Sequence, residues 1–176
     1  MYCNAITTLS IILFIHYNYL QSTSLSIDIK AIDLSEDLNK LSTQNDELIL
    51  LIYEVQDIDA TLNEPLYSSE FTLDSKTNRQ QLTTGIHKQS NLELLMLVLE
   101  RDTERPIAQI EPVVRIHFNE LIEAQANNDY NLIRKYLGNE DILGTKRITL
   151  PISRPTEFKL QGIQKMDRYT YVVILY

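Results

Sequence analysis

The sequence contains a single cysteine, Cys3, which lies near the start of the chain. A mature chain that begins near Leu25 would therefore contain no disulfide, no thiolate nucleophile and no cysteine-based metal site. Cys3 also precedes the apolar run that starts near Ile6, whereas the cysteine of a lipoprotein cleavage site follows such a run. We therefore interpret Cys3 as an incidental small apolar residue.

Asp, Glu, Lys and Arg are absent from the first 27 residues. The apolar centre, residues 6–19, is shorter than the ~20 residues that a helix needs to cross the membrane. An apolar core followed by Ser22 and Ser24 is typical of a secretory signal. We predict a signal peptide at 1–24 and a secreted or periplasmic domain at 25–176. The alternatives are a buried or partner-covered segment, or an uncleaved anchor, with the protein then cytoplasmic and membrane-peripheral.

Basic residues are outnumbered, 16 against 24 acidic residues, and the formal net charge is −8. Such an acidic surface does not attract nucleic acid or anionic lipid in general, so we predict no nucleic-acid partner. Glycine and proline are also scarce, at four and five, and no interior linker or repeat is visible. A chain of 176 residues without a linker indicates one domain with a real core.

Catalytic motifs are missing from the sequence. It contains no Gly-x-Ser-x-Gly, no phosphate-binding glycine-rich loop and no His-Glu-x-x-His. His16, His87 and His117 are not spaced as a metal-binding pair. We therefore predict no enzyme, no catalytic residue and no cofactor. A secreted or periplasmic hydrolase that uses carboxylates stays open as an alternative, because a glycosidase pair is defined by its separation in space.

Alternating apolar and polar residues predict that most of the chain is β-strand. In residues 25–34, Leu25, Ile27 and Ile29 alternate with polar residues, as in a half-buried strand. Continuous apolar runs predict two core strands, at residues 47–55 and 91–102. The remaining strands, which bring the total to about eight, are predicted at residues 65–74, 111–118, 146–152, 157–163 and 168–176.

A short helical insertion is predicted at about 119–137. Asn119 is the predicted cap of its first helix, and Asp129 is the predicted cap of its second. The second helix carries its apolar residues on one face before Gly138, a residue type that commonly follows the end of a helix. Because the alternation is of antiparallel type and no βαβ rhythm occurs, we predict an all-β class: an antiparallel β-sandwich with this insertion.

The stretch "GNEDILGTKRITL", residues 138–150, predicts a turn followed by a strand. Residues 139–141 form the predicted turn, Gly144 permits a bend, and the strand begins at residues 147–150. Asp141 is the residue of this stretch that we retain as a possible metal ligand.

Three segments resemble C2 domains, a family of eight-stranded sandwiches whose loops at one end often bind calcium and membranes. The stretch "LSIDIKAIDLSEDL" resembles the first strand of that family and the loop after it. "NDELILLIYEV" resembles its Asp-Pro-Tyr-Val strand entry, with Asp46 in the aspartate position and Glu47 replacing the proline. "NEDILGTKRITL" resembles the acidic-apolar-glycine turn into the penultimate strand. From the first to the last, these segments extend over residues 25–150 and so span most of residues 25–176.

The resemblance implies a calcium site in the loops, and calcium prefers six to eight oxygen ligands. Carried over to this chain, the candidate ligands are Asp33, Asp37, Asp46 and Asp141. The third loop of the family normally offers an Asp-x-Asp pair, but neither "FNELIEAQANND" nor "LVLERDTERP" contains one. We therefore predict a degenerate site without a bound metal, and calcium is the alternative cofactor.

Partner binding is the function that the resemblance implies. Lys and Arg are dispersed along the sequence, so we predict no basic patch of the kind that calcium-independent C2 domains use. Tyr130 and Tyr136, on the insertion, are candidate partner-binding residues, because tyrosine buries area while keeping a polar tip. We predict a non-enzymatic binding or adaptor domain that acts through its loops or insertion on a protein, with a membrane as the second possibility. An assembly component that joins through its terminal strand, "YVVILY", is a further hypothesis.

Overall fold

The computed structural model describes residues 24–33, 47–55, 62–74, 77–160 and 169–176. These residues form eight strands and three helices. The strands are β1 (Ser24–Asp33), β2 (Glu47–Glu54), β3 (Tyr67–Thr72), β4 (Arg79–His87), β5 (Glu93–Arg101), β6 (Asp141–Thr149), β7 (Thr156–Leu160) and β8 (Tyr169–Leu175). The helices lie between β5 and β6 and are α1 (Ile107–Ile116), α2 (Phe118–Asn127) and α3 (Tyr130–Leu137).

The strands form two four-stranded antiparallel sheets that pack as a sandwich. The first sheet has the order β4-β1-β8-β7 and the second has the order β3-β2-β5-β6. Their facing sides share one apolar core, to which β1 contributes Ile27 and Ile29 and β5 contributes Met96 and Val98. The predicted all-β fold, an antiparallel sandwich of eight strands with a helical insertion, is confirmed.

The second sheet is buried on both faces, which explains its continuous apolar strands. In β2, Leu48, Leu50 and Ile52 face the core between the sheets. The residues between them, Ile49 and Leu51, face the opposite way and belong to a second apolar cluster. Because both faces of the strand leave water, the apolar–polar alternation of a half-buried strand disappears.

The three helices cover the outer face of the second sheet. Each helix contributes two buried side chains to the second apolar cluster. These side chains are Ile110, Val114, Leu121, Ala124, Ile133 and Leu137. Burial of an Ile, Leu or Val side chain contributes about 1.5–3 kcal/mol to the free energy of unfolding. The helices therefore form a third layer that is packed stably on the sandwich.

Two polar contacts fix the places where the helical layer joins the sandwich. The Glu140 side chain is 1% exposed. Its carboxylate accepts hydrogen bonds from the Asp102 backbone N–H, at 2.8 Å, and from the Thr103 hydroxyl. Arg105 Nη1 donates to the carbonyl oxygen of Leu137 at 2.6 Å. The chain that leaves β5 is therefore bound to the chain that enters β6.

A buried tyrosine connects β2 to the first helix. Tyr53 is fully buried, and its hydroxyl donates to Glu111 Oε1 at 3.4 Å. Burial, together with the nearby negative charge of Glu111, raises the pKa of Tyr53 far above its ordinary value of 10.0. In the folded protein the phenol therefore keeps its proton at every pH at which an ordinary tyrosine is neutral, and also at higher pH.

The strand predicted at residues 111–118 is wrong, because this segment is helical. Its β-branched Val113 and Val114 favour a strand. The residues that are buried, however, are Ile110 and Val114, four positions apart, which is the spacing of one helix face. The apolar outer face of the second sheet accepts that helix face, so tertiary packing overrides local propensity.

Residues 79–87 form β4, a strand that the patterns above do not predict. Leu82, Thr84 and Ile86 are buried and alternate with exposed residues. Thr84 interrupts the apolar face, and its hydroxyl donates to the carbonyl oxygen of Leu25 at 3.0 Å. The predicted total of about eight strands is correct, although one predicted strand is a helix and one observed strand was missing.

The insertion is longer than predicted, and one of its two predicted caps is correct. Helix α2 begins at Phe118 after His117, with no side-chain hydrogen bond at its N-cap, so Asn119 is not the cap. Asp129 Oδ1 accepts from the Leu132 backbone N–H at 3.1 Å and caps α3 as predicted. Gly138 follows α3 with a φ of 79°, as a C-terminal glycine does.

The stretch after α3 turns into a strand earlier than predicted. Strand β6 begins at Asp141, so Ile142 and Leu143, both buried, already lie in the sheet. Gly144 lies inside the strand at an irregularity of the register with β5, and a Cβ there would approach Leu160 Cδ2 to 3.0 Å. The glycine therefore permits a close approach between β6 and β7.

Candidate functional site

Charged residues lie at one end of the second sheet, where β2 and β6 begin and β5 ends. In the strand register, Glu47 at the start of β2 lies opposite Thr72 in β3 and Arg101 in β5. Asp141 at the start of β6 lies opposite Glu100, the residue before Arg101. The helical insertion leaves the sheet at this same end.

A cleft of about 250 Å³ opens at this end, lined by Glu47, Glu70, Phe71, Thr72 and Arg101. Arg101 Nε donates to Glu47 Oε2 at 2.8 Å, and its Nη1 donates to Glu70 Oε2 at 3.0 Å. The hydrogen bond to Glu47 and the negative charge of Glu70 raise the pKa of Arg101, which is therefore a permanent cation. One guanidinium joins β2, β3 and β5.

Glu70 also holds the first residue of α1. Its Oε1 accepts from the Ile107 backbone N–H at 2.6 Å, and α1 has no side-chain cap of its own. A carboxylate at a helix N-terminus satisfies a free N–H and opposes the positive end of the helix dipole. The cleft is therefore part of the attachment of the helical layer.

The cleft bears on the hydrolase hypothesis, because two carboxylates line it. Both oxygens of Glu70 are taken, one by Arg101 and one by Ile107. Glu47 Oε2 accepts two hydrogen bonds from Arg101. A general acid and a general base must each reach a substrate atom, and here the carboxylates are engaged in holding strands and a helix together.

The predicted calcium ligands are not gathered into one site by the described residues. Asp33 ends β1, opposite Tyr169 of β8, and Asp141 begins β6. Asp37 and Asp46 lie outside the described residues. Within the ranges that the structure describes, no group of three or more His, Cys, Asp or Glu side chains could hold a metal ion. The degenerate site, and calcium as the alternative cofactor, stay predictions.

Three carboxylates at this end of the second sheet accept hydrogen bonds from protein donors. Glu47 and Glu70 bind Arg101, and Glu140 binds a backbone N–H and a hydroxyl. Calcium needs several oxygens that are free to converge on it. These three carboxylates therefore do not fit a calcium site as they are arranged here.

The two candidate tyrosines lie on the helical layer. Tyr130 is the first residue of α3 and is half-buried. Tyr136 stacks on His117, with ring centroids 3.9 Å apart and an interplanar angle of 19°. Lys135 Nζ lies 4.8 Å from the centroid of the Tyr136 ring. The stack joins α3 to the junction of α1 and α2, and partner binding by these tyrosines stays a prediction.

The terminal strand is not free to pair with another chain. Strand β8 lies between β1 and β7 in the first sheet, and both neighbours are antiparallel to it and hydrogen-bonded. Tyr171, Val173 and Leu175 point into the core, as the alternation predicts. Assembly through this strand would require one of its two neighbours to leave, so the hypothesis is wrong in that form.

Sequence reasoning missed the residues that build this end of the molecule. Arg101 and Glu47 lie 54 positions apart in the sequence, and Glu140 and Asp102 lie 38 positions apart. No local motif links such residues, since strand pairing brings them together. A weak signal is present in "LVLERD", where charged residues follow an apolar core run and therefore lie at the end of that strand.

Comparisons with known proteins identify no family for this chain. No family model and no curated protein matches the sequence. Among solved structures, the chain is similar to a C2 domain, the one designated A, of a plant extended synaptotagmin 1, with 12% sequence identity and a TM-score of 0.31. The alignment covers 87% of this chain and 92% of that chain. The sandwich itself is established by the strand order above.

Within the described ranges, no helix is long and apolar enough to span a membrane.

Proposed function

We propose that the protein is a non-enzymatic, C2-like binding or adaptor domain, and that the helical layer α1–α3 holds a protein partner. One observation carries the proposal: the layer is packed on the second sheet and still exposes a large apolar side chain. Ile116, at the end of α1, is 63% exposed. The same layer carries the half-buried Tyr130 and Tyr136, and apolar and tyrosine side chains are the composition that interface centres favour.

The attachment of the layer supports a binding role, because a fixed surface loses little freedom when it binds. Glu140, Arg105 and Glu70 each connect the layer to the sandwich through a hydrogen bond. The buried side chains of all three helices pack on the sheet below. The helices are therefore held as a rigid platform, and they cover the sheet face that a partner would otherwise contact.

Capture experiments with two matched variants test this proposal. Ile116→Glu places a charge on the exposed surface of the layer, and Leu66→Glu makes a similar change at a residue that is 45% exposed and lies outside the layer. Cross-linking in native extracts, followed by titration of the purified partner, should show at least tenfold weaker binding for Ile116→Glu only. Equal binding by both variants, with unchanged melting temperatures, would contradict the helical layer as the binding surface.

The membrane version of the proposal has its own test. Calorimetric titration with Ca²⁺ and co-sedimentation with anionic liposomes measure the two activities that the C2 resemblance implies. We expect neither, because we propose a degenerate calcium site and a protein partner. Calcium-dependent sedimentation would overturn both parts and return Asp33, Asp37, Asp46 and Asp141 to the role of ligands.

Export by residues 1–24 is a separate proposal. Strand β1 begins at Ser24, and its first core residue is Leu25. Cleavage after Ser24 would therefore remove one strand residue and no core side chain. N-terminal sequencing of the native protein should find a start near Leu25, and an intact Met1 would contradict export by cleavage.

A further inference from the structure

Among the strands that the structure describes, β7 has one main-chain edge without a partner, called the free edge below. It lies at the end of the first sheet, paired with β8 on one side, and no described strand pairs with its other side. Thr156, Glu157 and Lys159 are exposed along this strand, and Phe158 is half-buried. An unpaired edge presents N–H and C=O groups to which another extended chain can bond.

Two lysines lie in one row on the outer face of the first sheet, one on β7 and the other on β1. Lys30 of β1 and Lys159 of β7 are each opposite Val172 of β8 in the strand register, so all three lie in one row. Both lysines are exposed. A segment added outside β7 lies one strand spacing, about 5 Å, from Lys159 and three spacings, about 14 Å, from Lys30. Lys159 therefore contacts the segment, and Lys30 adds positive charge at longer range.

A third lysine lies on the other side of β7. Lys146 of β6 is exposed, and its Nζ lies 5.8 Å from the centroid of the Phe158 ring. Phe158 packs against the core between the sheets, whereas its neighbour Lys159 faces outward. Lysines from both faces therefore flank the free edge of β7.

The charge around β7 is positive, although the whole chain has a net charge of −8. Lys30, Lys146 and Lys159 form no ion pair with any described residue. Exposed Arg154 precedes the strand, and exposed Glu157 is the acidic residue on it. Arg147 of β6 is paired with Glu93 and adds no net charge.

We infer that the free edge of β7 docks an extended acidic segment of a partner protein, which adds to the first sheet as a fifth strand. Main-chain hydrogen bonds would hold the segment, and the lysines would select its charge. A second copy of this chain fits less well, because pairing two β7 edges brings like charges together. This inference does not depend on the helical layer, which lies on the other sheet.

The alternation of strands defines the sequence of the segment. A residue opposite Lys159 points outward and meets Lys159, and the next residue points inward toward Lys146. Two consecutive acidic residues therefore fit this edge. The position beside Glu157 favours a neutral or basic residue, since like charges opposite each other destabilise a sheet.

Fluorescence anisotropy with short labelled peptides tests the inference. One peptide has a central Glu-Asp pair between threonine and valine residues, and its control has a central Lys-Lys pair. We expect saturable binding of the acidic peptide only. Lys159→Glu and Lys146→Glu should each weaken this binding at least tenfold, and Glu157→Gln should strengthen it. Lys135→Glu, the same charge change on α3, should leave it unchanged.

A second arm separates strand pairing from simple charge attraction. An acidic peptide methylated on alternate backbone nitrogens cannot donate to a sheet edge, so it should bind at least tenfold more weakly. Amide exchange at residues 156–160 should slow when the unmodified peptide binds. Equal binding of the methylated peptide, or no effect of the lysine variants, would overturn the inference.

Vesicles and a helical-layer variant complete the design. Binding to phosphatidylserine vesicles that is lost in Lys159→Glu, without binding of the acidic peptide, would overturn the inference in favour of a membrane surface. Ile116→Glu should bind the acidic peptide normally. Failure of the helical-layer proposal can therefore be told apart from failure of the β7 inference, because Ile116→Glu tests the first and Lys159→Glu tests the second.

Discussion

The two sheets of the sandwich differ in what covers their outer faces. The second sheet is covered by α1–α3, and β2 and β5 accordingly bury six consecutive residues each. In the first sheet, β1 alternates core residues with outward residues, of which Lys30 and Ile32 are exposed and Asp28 is buried in an ion pair with Arg79. The difference teaches that a continuous apolar strand in an antiparallel protein predicts a further layer of structure, and that an alternating strand predicts a solvated face.

The largest expected effect separates the covered face from the solvated face. Leu51→Ala removes a fully buried side chain beneath the helices, and Ile32→Ala trims a side chain that is 40% exposed on β1. We expect Leu51→Ala to lower the free energy of unfolding by about 2–5 kcal/mol and Ile32→Ala to change it by less than about 0.5 kcal/mol. Urea unfolding measures both, and similar values would show that the helical layer is loosely packed.

The next effect tests how the layer is attached at its base. Glu140→Ala removes a buried carboxylate and leaves the Asp102 N–H and the Thr103 hydroxyl, both part-buried in these bonds, without it. An unsatisfied buried polar group costs about 1–3 kcal/mol, and we expect a loss of this size in urea unfolding. Amide exchange should also become faster in the helices than in the first sheet. Equal acceleration in both would mean that Glu140 supports the whole domain and not the layer alone.

A pH experiment examines the same interface through Tyr53. Burial raises its pKa in the folded protein above the ordinary 10.0 of the unfolded chain. The folded state therefore retains a proton that the unfolded state loses, so stability from this group is complete below about pH 10 and falls above it, by about 1.4 kcal/mol per pH unit. Tyr53→Phe should remove this part of the alkaline destabilisation. An unchanged alkaline destabilisation in Tyr53→Phe would contradict this role of the buried phenol.

The smallest effect compares two caps within the helical layer. Asp129→Ala removes the hydrogen bond to the Leu132 N–H at 3.1 Å, and Asn119→Ala changes an exposed residue that caps nothing. We expect a loss of about 1 kcal/mol for Asp129→Ala and a change within about 0.5 kcal/mol for Asn119→Ala. Thermal unfolding checks both, and a larger loss for Asn119→Ala would reverse the assignment.

Secondary structure was predictable where one residue pattern had one explanation. The period-two alternation of Leu25, Ile27 and Ile29 and the cap at Asp129 depend on neighbours within a few positions, and both are confirmed. Residues 111–118 were mispredicted because β-branched residues also fit a helix that packs on an apolar sheet. Strand β4 was missed because its polar faces, "RQQLTTGIH", carry a weak pattern.

The candidate sites were less predictable than the fold. The tyrosines of the insertion were visible as a composition, and the structure places them on the helical layer. The cleft of Arg101 was not visible, because its partners come from other strands. The lysines around β7 are dispersed in the sequence, at positions 30, 146 and 159, so no local pattern predicts that they lie around one strand.

The sequence by itself determined the class of the protein: an acidic, antiparallel β-sandwich with a helical insertion and no recognisable catalytic motif. Hydrophobic periodicity, capping residues and net charge carry that information, and each is local or additive along the chain. Only the tertiary structure decided which sheet the helices cover, that Arg101 joins Glu47 and Glu70, and that the last strand is enclosed by its neighbours. These features depend on which strands pair and in what register, because pairing sets distances between residues that the sequence separates.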